Sequence, residues 1–304
     1  MRFLPAATLL VFTVIALLSC SKKEDTDHTP SPVPVIAPKL IFKFQFDSMQ
    51  VRLNSFGQVT TMPAGHSGQS PKFNFMSAHY IELAPDSLTP LGWGKVLYRA
   101  PETTLGGNTA IDFDSSKVVN EGEPFYSTAI SNVVPGIYKW LRISLAYQNY
   151  DIRYRFFYLG NPVDNSGTVA SFIGFNTYIR SYRIQDSIIH VNANKLQGYW
   201  SFESSYSGFG SVAQGQAPPN ATTVPNPISL TSPVPPGSCV VTGVFTTPFT
   251  ITGNETHDVV ITVSLSTNKS FEWTDFNANG IYEPLNGDTV IDMGVRGLIP
   301  LVSQ

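Results

Sequence analysis

The chain has 304 residues, a formal net charge of −3 at pH 7, and charged residues at only 13% against a usual ~25%. So faint an acidity argues against nucleic acid as a partner, because that binding needs a basic face. Aromatics at 12%, with 23 Gly and 23 Pro, are the composition of a secreted all-β protein.

At the start, one Arg precedes an apolar stretch from about Leu9 to Leu18 that is too short to span a bilayer as a mature helix. Residues 1–19 read as a signal peptide. The Leu-Leu-Ser-Cys ending resembles the lipobox of bacterial lipoproteins, in which signal peptidase cuts before the Cys and the thiol carries a diacylglycerol. That resemblance implies lipidation of Cys20 and attachment to a membrane through the lipid anchor. It implies a cell-envelope protein, an outer-membrane lipoprotein facing the periplasm or the surface. Residues 20–39, charged and then Pro-rich, have too little apolar content to fold and read as a tether.

From residue 40 onward, strand signals follow one another closely. Alternation puts Phe42, Phe44 and Phe46 on one face. It groups Phe75, Ser77, His79, Ile81 and Leu83, with Met76 opposite, and sets Ile137, Leu141, Ile143 and Leu145 against Tyr138, Trp140 and Arg142. No window of helical period carries caps at both ends. The expectation is an all-β domain over residues 40–304, an antiparallel β-sandwich, either one elaborated sandwich or two packed ones. Residues 205–237, rich in Pro, Gly, Ser and Asn, read as a long loop interrupting it. Cys239, left without a partner if Cys20 is lipidated, reads as a buried inert thiol.

The chemistry concentrates near the end, in DFNANGIYEPLNGD, residues 275–288. Oxygen ligands at odd positions around a turn-permitting Gly are what Ca²⁺ requires: Asp275, Asn277, Asn279, the Ile281 carbonyl and Glu283, with Asp288 folding back. The run resembles the Asp-x-Asn-x-Asn-Gly calcium loops of secreted bacterial domains. A second reading fits equally, a hairpin loop in which Asn and Gly supply left-handed backbone and Asp275 makes an Asx-turn. Met62 with His66, and Met76 with His79, pair thioether and imidazole at short spacing, a donor set suited to copper, although His79 shares its face with apolar residues and reads better as a core histidine.

The segments FKFQFDSMQVRLNSFGQ, KFNFMSAHYIEL and VPGIYKWLRISLAY, in that order, resemble the MbnP-like periplasmic proteins: an opening strand, a strand before a polar loop, and a Pro-Gly-x-Tyr turn entering a long strand. The resemblance implies a periplasmic copper-binding protein. Asp47-Ser48-Met49, Asp86-Ser87-Leu88, Asp186-Ser187-Ile188 and Asp288-Thr289-Val290 each resemble the Asp-Ser/Thr-apolar acceptor of a bacterial periplasmic O-glycosylation system, which implies modification at Ser48, Ser87, Ser187 and Thr289.

No Gly-x-Ser-x-Gly elbow, His-Glu-x-x-His, phosphate loop or dinucleotide fingerprint occurs. Asp112, Asp114, Glu121 and Glu123 are the one candidate carboxylate set for an envelope enzyme acting on carbohydrate, and they read better as a solvated acidic loop. Tyr138, Trp140, Tyr147, Tyr150, Tyr154 and Tyr158 either stack on a sugar or protein partner or fill the space between sheets. The sequence therefore points to a lipid-anchored envelope binding or structural protein, non-catalytic, holding one Ca²⁺ and taking a protein or glycan ligand. A carbohydrate-active enzyme and a copper-binding protein are the alternatives.

Overall fold

The computed structural model describes residues 37–54, 57–217 and 239–304. The signal peptide, Cys20 and nearly all of the tether lie outside these residues, as do residues 218–238. In chain order the strands are β1 (Lys39–Asp47), β2 (His66–Gln69), β3 (Lys72–Ala84), β4 (Lys95–Arg99), β5 (Glu102–Thr103), β6 (Ala110–Asp112), β7 (Pro124–Ala129), β8 (Gly136–Tyr158) and β9 (Asn161–Phe172). They continue as β10 (Asn176–Arg183), β11 (Ile188–Leu196), β12 (Tyr199–Tyr206), β13 (Phe209–Gln216), β14 (Cys239–Ile251), β15 (Val259–Ser266), β16 (Phe271–Thr274), β17 (Thr289–Met293) and β18 (Leu298–Ser303). Among the described residues the only helices are two single 3₁₀ turns, Phe113–Ser115 and Ile130–Asn132, and none is long and apolar enough to cross a membrane.

The all-β sandwich expected from the sequence is present. A seven-stranded sheet in the order β13-β12-β9-β8-β3-β4, with β14 also on β8, faces a four-stranded sheet β18-β15-β1-β7. Between them lies the main core, with Leu40, Phe42 and Phe44 from β1, Ile261, Val263 and Leu265 from β15, and Leu141, Ile143 and Leu145 from β8. A third sheet, β11-β10-β6-β5, packs on the other face of the large sheet through a second core of Tyr147, Ala170, Phe172, Ile179, Tyr182 and Tyr199. The pairing is not antiparallel throughout: β1 runs parallel to β15 over eight register pairs, and β6 runs parallel to β10. β1 is thus shared between a partner late in the chain and β7, so both its edges are satisfied.

Simple alternation fails along β3 and β8, and bulges are the reason. The register places one unpaired residue at Asn74, one at Ala146 and one at His79. Each bulge advances the side-chain phase by one residue. Met76 and Ala78 therefore face the main core, and after His79 the core residues are Ile81 and Leu83. On β8 the core set Leu141, Ile143, Leu145 gives way past Ala146 to Tyr150 and Ile152, while Tyr147 turns to the second core. The freed carbonyls are used: Ala146 O accepts from Ile173 N (2.9 Å) and Gly174 N (3.0 Å), and His79 O accepts from Ala100 N (2.7 Å). Met76 is thus a core residue, Phe75 is 39% exposed, and at the start of β8 Tyr138 is buried where Ile137 stands out.

The first part of the expected loop at 205–237 is strand, and residues 218–237 of it lie outside the described residues. Tyr206 ends β12, and β13 pairs antiparallel with it from Tyr206↔Phe209 to Tyr199↔Gln216. β13 is an edge strand whose side chains are almost all exposed, so Gly, Ser and Gln serve where a buried strand needs apolar residues.

Candidate functional site

Residues 275–288 join β16 to β17 in a small three-stranded sheet, β17-β16-β2. The loop is closed by its own side chains. Asp275 Oδ2 accepts from Ser67 Oγ (2.7 Å) and Gly280 N (2.7 Å), and its Oδ1 from Asn279 N (3.2 Å), while Gly280 supplies a φ of +74° that a larger residue resists. Burial alone would raise the Asp275 carboxyl, but these donors outweigh it and hold it below its ordinary range. The Oε2 of the buried Glu283 accepts three amides, from Asn277 (2.8 Å), Asn286 (3.0 Å) and Asn279 (3.2 Å). Those donors, Asn286 foremost, depress the Glu283 carboxyl. Asp288 faces backbone instead, accepting from Phe276 N (3.0 Å) and Glu283 N (2.7 Å).

Of the sequence-derived calcium set, Asn277, Asn279 and Glu283 therefore converge, with Asn286 added. Asp275 and Asp288 hold the loop's backbone, and Ile281 donates its N–H to Asn279 Oδ1 (2.7 Å). Among the described residues no three His, Cys, Asp or Glu side chains gather in metal-ligand geometry.

The far side of this loop forms one wall of a cleft. Arg155 N donates to Tyr282 O (2.8 Å), tying the loop to β8, and Gln69 pairs with the Arg153 backbone through Nε2→O (2.7 Å) and N→Oε1 (2.8 Å), tying β2 to the same strand. The cleft, about 550 Å³, is bounded by the rings of Tyr154, Trp273 and Tyr282 and by Arg155, Asp164 and Asn165. Trp273 and Tyr282 pack at 5.5 Å between centroids, and Phe271 meets Tyr282 edge-on at 5.0 Å, so the loop wall is rigid. Burial pushes the Tyr282 phenol up to about 12, which keeps it a neutral donor. Opposite, Tyr154 OH donates to Ser204 Oγ (3.0 Å) and accepts from Asn165 Nδ2 (3.0 Å). Arg155 grips Asp164 with two bonds, Nε→Oδ1 (2.6 Å) and Nη2→Oδ2 (3.0 Å), at the rim.

Beneath the β2–β16 pair lies an ionic network that the sequence did not announce. Buried Glu272 accepts Arg52 Nη2 (2.5 Å) and Arg296 Nη2 (2.8 Å) on Oε2 and meets His66 Nδ1 (2.6 Å) with Oε1. Arg296 Nη1 also pairs with Asp292 Oδ2 (2.8 Å). Burial opposes the Glu272 charge, yet the hydrogen bonds from His66 and Arg52 and the charges of Arg296 and Arg52 outweigh it and leave its carboxyl depressed. No spacing signal links residues 52, 66, 272 and 296, since they meet only when β16 is laid beside β2.

A larger groove of about 790 Å³ lies between Phe75, Phe113 and Tyr147, but its polar floor is internally saturated. Asp151 Oδ1 accepts Thr168 Oγ1 (2.7 Å) and Asn74 Nδ2 (3.1 Å), and Asn149 Nδ2 donates to Ile184 O (2.9 Å).

The four copper candidates are spread over different surroundings. His66 is engaged by Glu272, Met76 is in the main core, Met62 is half-buried in a loop, and His79 is buried with Nε2 on Glu102 (2.9 Å) and its ring 5.3 Å from Phe175. Burial lowers the His79 pKa, so its imidazole is neutral. Cys239 is buried, and burial pushes its thiol up to about 12, far from a nucleophile. The four acidic candidates serve separate bonds: Asp112 accepts Ser115 Oγ, Asp114 pairs with Arg180, Glu121 caps Phe46 N and Glu123 caps Asn120 N. Ser48, Ser87 and Thr289 are exposed, whereas the Ser187 hydroxyl donates to Glu203 Oε1 (2.7 Å). Of the six aromatics that either stack on a partner or fill the core, Tyr138, Tyr147 and Tyr150 are buried, Trp140 is half-buried, and Tyr154 and Tyr158 emerge at the end of β8. Compared with known proteins, the chain matches no family model, and no curated protein or solved structure resembles it at a significant level.

Proposed function

We propose that the protein is a lipid-anchored, non-catalytic cell-envelope binding protein that takes a glycan in the cleft between the 275–288 loop and the β8–β9 pair. The observation that carries this reading is the pairing of two half-buried rings, Tyr154 and Tyr282, backed by the buried Trp273, with planar polar groups, Arg155, Asp164 and Asn165, around one open cleft. Sugar rings present apolar C–H faces that stack on aromatics and edges of hydroxyls that bond to carboxylate, amide and guanidinium groups, and this lining offers both. Calcium belongs to the proposal as the ion of the loop wall. The side-chain amides of Asn277, Asn279 and Asn286 already converge on Glu283 Oε2, and a hard cation bound beside that oxygen would take amide and carboxylate oxygens in place of the present N–H···O bonds.

The test is a titration of the purified protein with a panel of neutral oligosaccharides, reading the emission of the buried Trp273 behind the cleft against a Tyr282→Ala variant that keeps this tryptophan. A saturable change present in the unmutated chain and missing in the variant is expected. A panel with no saturable response, checked by calorimetry, rejects the glycan reading.

A further inference from the structure

Two neighbouring hairpin ends expose apolar side chains that nothing in the fold uses. At the β8–β9 end, Phe157 is 50% exposed, Tyr158 54% and Leu159 84%; at the β12–β13 end, Phe209 is 81% exposed and Tyr206 38%. Ring contacts join the ends into one patch: Tyr206 meets Phe156 at 5.2 Å and Tyr158 at 5.8 Å.

The chemistry of the patch is graded along the strands. Residues 156–163 and 204–217 contain no Asp, Glu, Lys or Arg. The nearest charges on the first hairpin are Arg155 and Asp164, a cross-strand pair three residues behind Tyr158↔Asn161, or about 10 Å back from the tip. Apolar and tyrosine side chains filling the last three positions of β8 and the turn, with the first ion pair about 10 Å behind, match the polarity profile of a bilayer interface, into which amphipathic elements sink roughly 5–10 Å. A protein partner has no need of an uncharged band of that depth.

The turn itself adds a second argument. Leu159 and Gly160 have φ of +50° and +79°, and Ser207 and Gly208 have +50° and +83°, so both ends are two-residue turns with left-handed backbone at each central position. Asn, Asp or Gly suit the first position, whereas a leucine there is strained and fully in water. Folding gains nothing from Leu159, so the residue answers to something outside the fold.

We infer that the paired ends of β8–β9 and β12–β13 form a docking surface for a lipid bilayer, inserting Leu159 and Phe209 to the level of the acyl boundary. The inference extends the proposed envelope location but does not need the acyl chain: an anchor on Cys20 would bring the domain near a membrane, and the hairpins would set its orientation.

The experiment uses the full chain carrying Cys20→Ala, with one environment-sensitive fluorophore attached at Leu159→Cys, Phe209→Cys, Ser166→Cys or Met49→Cys, the native Cys239 being buried. Vesicles of phosphatidylcholine and phosphatidylethanolamine should brighten and blue-shift the labels at 159 and 209. Lipid brominated in its acyl chains should quench those two about tenfold more than the labels at 166 and 49, in keeping with an insertion depth confined to the tips. High salt should leave the response unchanged, because no charge is involved. Silent labels at 159 and 209, or equal quenching at all four positions, overturn the inference. So does a response that appears without vesicles together with self-association in sedimentation, which assigns the patch to a second copy of the chain. A fatty-acid label absent from the unmutated chain, or persisting in Cys20→Ala, would reject the anchor and leave this result standing.

Discussion

His66 Nδ1 lies 2.6 Å from Glu272 Oε1, and on its other oxygen the same carboxylate holds Arg52 and Arg296. One buried acid thus pins the segment before β2, β2 itself, β16 and the turn into β18. Removing it leaves Arg52 without its ion-pair partner and Arg296 with Asp292 alone. Glu272→Gln should cost about 3 kcal/mol or more, the usual loss when one partner of a buried ion pair is deleted. Urea unfolding at pH 7 measures it, and a midpoint within error of the unmutated protein would contradict the account.

The same carboxylates set an acid limit. Glu272, Asp275, Glu283 and Glu203 are all held below their ordinary values in the folded state; for Glu203, burial is outweighed by Ser187 and by the backbone N–H groups of Gln185, Ser187 and Asp186. A carboxyl depressed on folding contributes stability that is fully present above its unfolded value of about 4.3 and is lost as pH falls through the folded value. Stability should therefore begin to fall below about pH 6.5, where the unfolded state but not the buried His79 takes up a proton, and fall more steeply below about 5 as these carboxyls are protonated. Replacing Glu203 with Gln should cost about 2 kcal/mol at pH 7 and flatten the acid limb, read from melts between pH 3 and 7.

Calcium at the 275–288 loop should stabilise the fold by linkage. At free Ca²⁺ ten times the dissociation constant the gain is about 1.4 kcal/mol, a melting shift of roughly 2–4 °C for a domain of this size. Asp275→Ala should erase the calcium-dependent part by releasing Gly280 N and Ser67 Oγ. Equal melting temperatures in millimolar calcium and in chelator would assign the loop to its hydrogen bonds alone.

Acylation at Cys20 is expected from the Leu-Leu-Ser-Cys ending. Growth with a labelled fatty acid should mark the unmutated chain and not Cys20→Ala. A label that persists in the variant would remove the lipid anchor from the proposal.

Ser48, Ser87 and Thr289 should carry the glycan if the Asp-Ser/Thr-apolar sites are used, and Ser187 should not, because its hydroxyl is committed to Glu203. Peptide mapping of protein from its native host distinguishes the four. Modification at Ser187 with the other three bare would invert the prediction.

The class of fold was legible in the sequence because it rests on local signals. Alternation of Phe42 and Phe44, the turn residues between short runs and the lack of any capped helical period are properties of neighbouring residues, and such neighbours keep their meaning wherever the strand ends up. The polarity of DFNANGIYE was legible for the same reason, as was the burial of Cys239. Which face each residue took was not legible once a bulge intervened: Asn74, His79 and Ala146 are unpaired because of what lies across the sheet, and each reverses the phase of everything beyond it. The pairings of β1 with β15 and of β2 with β16 each join residues about 200 positions apart, so the Glu272 network and the cleft wall arise from strand neighbours that no spacing encodes. The sequence by itself determined an all-β chain with a polar loop and aromatic strands. Only the tertiary structure decided that Tyr154 faces Tyr282 across a cleft and that Leu159 and Tyr206 belong to one patch, because side-chain convergence depends on strand order and register, which are set by long-range packing.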